Sequence, residues 1–271
     1  MSVWRLILHP AARGAWNMAV DEAILESAGR GDAPPTLRLY AWQPACLSLG
    51  YAQPAADVDF AALASFGWEV VRRPTGGRAI LHTDELTYSV CAAPDEPLLA
   101  GTVLESYNRL SAALMAACFA LGLAVKKEEH AVPSSAAQAG PVCFEVPSAY
   151  EIVAEGKKLI GSAQARKREG ILQHGTLPLT GDLTRITRAL VFADEAARAR
   201  AAQKLLARAT TLQACLGREI AWETAAQAVV EAFSQTLGVA FQRAELSQAE
   251  QARAAELLQN KYTRPEWTER V

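Results

Sequence analysis

Two short turns inside one alternating stretch constrain this chain more than any other feature. From Ala149 to Ala165 the apolar positions Tyr150, Ile152 and Ala154, then Leu159, Gly161 and Ala163, follow the two-residue period of strands, with Glu155-Gly156 between them as a tight turn. A second turn, Arg168-Glu169-Gly170, leads into the strand Ile171–Leu177. The spacing predicts an antiparallel meander that holds Lys158 on a strand and leaves Cys143 on the loop before it.

The rest of the chain supplies elements to pack around that meander. Strands are expected at Trp4–Leu8, Thr36–Trp42 and Ala45–Tyr51, three more within Trp68–Ala93, and others at Ala124–Glu129 and Val239–Arg243. Helical spacing covers Ala15–Ala28, Val58–Ser65, and Thr102–Leu121 with its Thr102-x-x-Glu105 capping box. After Pro178 the text turns Ala-rich and helical, over Leu183–Leu190, Glu195–Arg208, Glu223–Leu237 and Gln248–Gln259. We expect a catalytic core over 1–180 and a mainly helical part over 181–271 packed on the same domain.

Charge and cysteine usage narrow the function classes. A net charge of -2 provides no concentrated basic face for nucleic acid. No apolar run approaches the roughly 20 residues of a membrane span, and MSVWRLILHP does not read as a leader, so a cytoplasmic location is expected. Five scattered cysteines without C-x-x-C spacing speak against a disulfide framework or a zinc site.

Two local patterns point to chemistry, each with a plainer alternative. A thiolate is the nucleophilic form of cysteine, and an ammonium such as that of Lys158 would raise its share or steady an oxyanion on a thioester carbonyl. An arbitrary cysteine is more often a small apolar packing residue, as expected for Cys91 and Cys118. The glycines of Pro74-Thr75-Gly76-Gly77, flanked by arginines, suit either a loop that approaches an anionic ligand or an ordinary hairpin. His82 and His174 end apolar strands, where a base could sit, although a lone histidine there is more often a hydrogen-bonded structural residue. Arg166-Lys167-Arg168 suits a solvated turn or a contact with an acidic carrier protein.

The string Arg72-Arg73-Pro74-Thr75-Gly76-Gly77-Arg78-Ala79-Ile80-Leu81-His82, followed by Glu85-Leu86-Thr87-Tyr88, resembles the ligand loop of the lipoate-protein ligase and biotin ligase superfamily. Gly156-Lys157-Lys158-Leu159-Ile160-Gly161-Ser162-Ala163-Gln164 resembles its lysine motif. Cys143-Phe144-Glu145 with Pro147-Ser148 and Tyr150-Glu151 is similar to the cysteine loop of protein N-octanoyltransferases of the LipM type. Asn17-Met18-Ala19 with Asp21, and Lys261-Tyr262 with Glu266-Trp267, also fit.

The resemblance implies an α+β fold with a mixed central sheet and packed helices, like the catalytic domain of biotin and lipoate protein ligases. It implies that octanoyl passes from octanoyl-acyl carrier protein to Cys143 as a thioester, and then to a lysine of a lipoyl-accepting protein such as the glycine cleavage H protein. Cys143 and Lys158 would be catalytic. Arg72, Arg73, Gly76, Gly77, Arg78, His82, Gly161, Ser162, Ala163 and His174 would bind substrate, with no metal and no cofactor. Lys157 should point outward on strand alternation. Three other readings share parts of the pattern: an ATP-dependent lipoate ligase, an amidotransferase moving octanoyl from H protein to a dehydrogenase subunit, and a non-catalytic lipoate or biotin binder. The cysteine loop and the short text after Gln259 argue against the ligase.

Overall fold

The computed structural model describes residues 2–129 and 150–271. In chain order the elements are β1 (Ser2–Leu8), α1 (Gly14–Gly29), β2 (Thr36–Tyr40), β3 (Cys46–Leu49), α2 (Phe60–Phe66), β4 (Glu69–Arg72), β5 (Ile80–His82), β6 (Glu85–Ala92), α3 (Val103–Ala120) and β7 (Lys126–Glu129). They continue with β8 (Tyr150–Ala154), β9 (Lys157–Lys167), β10 (Gly170–Pro178), α4 (Glu195–Arg208), α5 (Leu212–Leu216), α6 (Trp222–Leu237), β11 (Val239–Arg243), α7 (Gln248–Leu257) and α8 (Pro265–Thr268). This is the mixed α+β fold that the resemblance implied. No helix among the described residues is long and apolar enough to cross a membrane.

The meander forms because its turns can. Glu155 and Gly156 take φ of 51° and 75°, the pair of left-handed residues that a two-residue hairpin turn requires. In β10, Ile171 pairs with Arg166 of β9 on one side and with Ala92 of β6 on the other. The main sheet has the order β11-β1-β2-β6-β10-β9-β8-β7. β1 runs parallel to β11 and β2, while β2, β6, β10, β9, β8 and β7 pair antiparallel.

A second sheet has the order β4-β3-β5. Since β4 and β5 both pair with β3, the Pro74–Gly77 segment crosses over β3 and is not a hairpin. β2 and β3, although joined through Gln43-Pro44, belong to different sheets.

Strand alternation gives the two faces of the large sheet different chemistry. On one face Leu37, Leu39, Tyr88 and Val90 pack against Leu110 and Leu114 of α3 and Phe233 of α6 in the larger apolar cluster. α3 starts where the capping box predicts, with Thr102 Oγ1 accepting from Glu105 N at 3.2 Å and Glu105 Oε2 accepting from Thr102 N at 2.7 Å. The other face carries buried polar side chains under α1, among them Arg38, Ser89, Glu85 and His174. A buried polar file of this kind is stable only when each group finds a partner, and those partners build the site.

The C-terminal elements also close on this face. Arg5 donates to both Glu250 oxygens of α7, at 2.7 and 2.6 Å, and Lys261 reaches Glu22 of α1 at 2.6 Å. The segment Leu183–Leu190, expected as a helix, is a 3-10 helix over Leu183–Ala189, and α7 ends at Leu257 before a π-helical turn over Leu258–Tyr262.

Candidate active site

Between the polar face of the large sheet and the three-stranded sheet lies a cavity of about 1020 Å³. The meander contributes Lys158, Gly161, Ser162, Ala163 and His174, and the crossover loop with its flanking strands contributes Arg73, Gly76, Gly77, Arg78 and His82. The fold therefore brings ten of the predicted site residues to one space. Cys143 lies outside the described residues.

Lys158 enters the cavity wall from β9, with Nζ 2.6 Å from Glu151 Oε1 of β8 and side-chain exposures of 3% and 7% for the pair. Its neighbour Lys157 points away, donating to Leu206 O at 2.8 Å, as alternation predicts. A buried ammonium next to a carboxylate is costly to isolate, so the pair fixes where the positive charge sits.

The crossover loop is pinned from several directions. Arg73 Nη2 donates to the carbonyls of Gly76 and Arg78, both at 2.8 Å, and its Nη1 donates to Ser48 O at 2.9 Å and Ser48 Oγ at 3.1 Å. The loop backbone also presses on Gly50, where an added Cβ would stand 1.8 Å from Gly77 O. Gly77, at φ +95°, takes a conformation that side chains disfavour.

Arg72 requires a correction. It is fully buried, and its guanidinium donates to Thr268 O at 2.9 and 2.7 Å, Gly50 O at 2.7 Å and Gln53 O at 2.7 Å. It is not among the cavity residues. Its forked donors match convergent carbonyls, so it ties the C-terminal segment to the loop wall.

Two carboxylate–histidine pairs stand behind the cavity. Asp21 accepts from Arg38 Nη1 at 2.7 Å, Ser89 Oγ at 2.8 Å and Tyr40 Oη at 2.9 Å, with His174 Nδ1 at 3.6 Å. Burial would raise the Asp21 carboxyl, but Arg38 and His174 bring it below the usual carboxylate range. His174 Nε2 meets Thr75 Oγ1 of the loop at 2.6 Å, and burial pushes this ring toward the neutral form against the pull of Asp21. The second pair is Glu85 and His82, at 2.7 Å from Oε1 to Nδ1. Burial would raise Glu85, but His82 and Thr87 outweigh it and hold the carboxyl low.

The motif resemblance included Asp21, Glu85 and Glu151 but assigned none of them a role, and Ser48 was not singled out. The available signal was β6, where Glu85, Thr87 and Ser89 alternate with Leu86, Tyr88 and Val90. Alternation shows that the polar set shares a face, but not that α1 buries it. At the cavity mouth Lys261 Nζ lies 4.2 Å above the Trp267 ring, placing a late-sequence motif beside the meander.

A family model described as the lipoyl protein ligase A/B catalytic domain matches residues 13–234. Among curated proteins, the octanoyltransferase LipM of Kyrpidia tusciae is 42% identical over 274 residues, covering 100% of each chain. That of Carboxydothermus hydrogenoformans is 40% identical over 268 residues, covering 98% of each. Among solved structures, a bipartite lipoate protein ligase of Thermoplasma acidophilum, studied with its E2 lipoyl domain, aligns with a TM-score of 0.81 at 25% identity, over 99% of this chain and 97% of that one. A T. acidophilum structure with bound lipoic acid gives 0.79 at 25% identity, over 99% and 100%.

Proposed function

The chain belongs to the lipoyl protein ligase A/B catalytic-domain family and is an octanoyltransferase of protein lipoylation, and we propose that it works through a thioester on Cys143. The acceptor is a lipoyl-domain protein. In this reading the donor is octanoyl-acyl carrier protein and the acceptor is of the glycine cleavage H type.

The observation that carries the reading is a buried positive charge, Lys158, on the wall of a cavity that a glycine loop also lines. Cys143 attacks the carrier thioester, the carbon–sulfur bond to the carrier breaks, and the acyl group moves from one sulfur to the other at little free-energy cost. The Lys158 ammonium stabilises the thiolate and the oxyanion that forms as the carbonyl is attacked. The acceptor lysine then displaces the Cys143 sulfur and forms an amide, the stable end point. The tail needs an apolar seat: burying the six methylenes of an octanoyl chain is worth roughly 5 kcal/mol at about 0.8 kcal/mol each. The cavity supplies Met18 and Trp42 among its apolar lining.

Octanoyl transfer from octanoyl-acyl carrier protein to a lipoyl domain tests the reading. Cys143→Ala should abolish product while circular dichroism and melting stay those of the parent, and undiminished transfer would reject the thioester. Free octanoate with ATP should give no product; adenylate formation would assign the chain to ligase chemistry.

A further inference from the structure

Six cations line the cavity, Arg73, Arg78, Lys158, Arg166, Lys167 and Lys261, and no carboxylate is among its described lining residues, although the chain as a whole carries a net charge of -2. In the wall, Lys158 is balanced by Glu151. The cations at the mouth are held differently. Lys167 Nζ and Lys261 Nζ share one carboxylate, Glu22, at 3.6 and 2.6 Å, and the Glu22 side chain is only 9% exposed, so the group presents a net positive charge outward. Lys261 also lies over the Trp267 ring. Arg270 stands 4.4 Å from the centroid of that same ring and 3.7 Å from that of Tyr51, and it donates to Tyr51 O at 2.8 Å. Two rings and a carbonyl fix a guanidinium in place without cancelling its charge. Tyr51 and Trp267 both line the cavity, so Lys167, Lys261 and Arg270 make one continuous rim beside it.

We propose that the Lys167–Lys261–Arg270 rim is the docking face of the acyl donor, an acidic carrier whose acyl group hangs on a phosphodiester-linked arm. This rests on the reading above, in which octanoyl-acyl carrier protein loads the enzyme. Charge selects this occupant over the acceptor. The donor brings a phosphodiester at the root of its arm and acidic surface around it, while the thioester end that enters the cavity is neutral. The acceptor instead brings an ammonium, which a rim of cations repels.

A concave site edged by one sign of charge focuses its field outward and speeds capture of a partner of the opposite sign. Over a screening length of about 10 Å at 0.1 M salt, the rim's own charges decide that field, and the net charge of the chain does not. The rim therefore governs how fast the donor is captured and leaves the chemical step alone.

The test measures kcat/KM separately for octanoyl-acyl carrier protein and for a lipoyl domain. Lys167→Gln combined with Arg270→Gln should lower the donor value about tenfold at low salt and change the acceptor value by less than about twofold. Lys167→Arg combined with Arg270→Lys, which keeps both charges, should stay within about twofold of the parent for the donor. Raising salt from about 20 to about 200 mM should weaken donor capture by the parent, and the neutral double variant should lose most of that dependence. A donor value that neither salt nor the neutral substitutions change overturns the proposal, as does an acceptor value that falls as far as the donor's. Should the double variant fail to fold, Arg270→Gln decides, since this residue is exposed: a donor value about threefold lower supports the rim, and an unchanged value overturns it. Failure of the carrier to deliver octanoyl at any salt ends the donor reading and this inference together, whereas delivery indifferent to salt and charge ends this inference alone.

Discussion

Glu151 and Lys158 face each other across the β8–β9 hairpin, 2.6 Å from carboxylate oxygen to ammonium nitrogen, with both side chains almost fully covered. A pair buried this deeply contributes little net stability but is expensive to break from one side, because the survivor keeps an uncompensated charge. Glu151→Gln should lower unfolding stability by about 3 kcal/mol, whereas Glu151→Leu combined with Lys158→Met should recover most of that loss. Urea denaturation midpoints of the parent and these two variants measure both. Equal losses in the single and double variants would show that the charge pairing is not what holds the hairpin.

The elements were largely legible from residue order, because the chain's turns and alternations are strong. The meander from Tyr150 to Pro178 lies where its period and its Glu155-Gly156 turn place it, and α3 starts at its capping box. The crossover of Pro74–Gly77 was not legible. Whether two strands flanking a glycine pair bond to each other or to a third depends on distant β3, which local pattern does not encode. The partners of the site failed for a similar reason. Arg72 and Arg73 are adjacent, yet strand geometry sends one into convergent carbonyls near Thr268 and the other to the loop it precedes. Asp21 and Asn17 share a helix face by their four-residue spacing, but only the fold brings Arg38 between them, at 2.7 Å from each side chain.

Acid should destabilise the protein in two windows. His9 is pushed down to about 4, burial and then Arg38 opposing its charge, so the unfolded chain takes up this proton first. The stability tied to neutral His9 is whole above the ordinary histidine value near 6.5 and is lost as pH falls toward about 4. Below that, lowered carboxyls take over, Asp21 and Glu250 among them. Burial would raise both, but Arg38 with His174, and Arg5 respectively, lower them, so their contribution is present above about pH 4 and disappears as pH falls through their folded values. Urea midpoints from pH 7 to 3 should decline in both ranges. His9→Asn, which keeps an acceptor for Arg38 Nε, should flatten the upper one only.

Arg72→Lys tests whether the first arginine of the loop motif is structural. A single ammonium cannot serve carbonyls of Thr268, Gly50 and Gln53 together. Leaving buried acceptors unpaired costs about 1–3 kcal/mol each, so a stability loss of about 3 kcal/mol is expected. Amide exchange should quicken around residues 265–271. A variant with parental stability and a raised KM for the acyl donor would instead return Arg72 to the substrate surface.

The central claim concerns a sulfur and an acyl chain, and intact-protein mass spectrometry addresses it directly. After mixing with octanoyl-acyl carrier protein and no acceptor, the protein should gain one octanoyl mass, and peptide mapping should place it on Cys143 in a form that hydroxylamine removes. Addition of a lipoyl domain should then discharge it. A protein that stays unmodified while the acceptor is octanoylated, or an adduct that maps to another residue, would contradict the account.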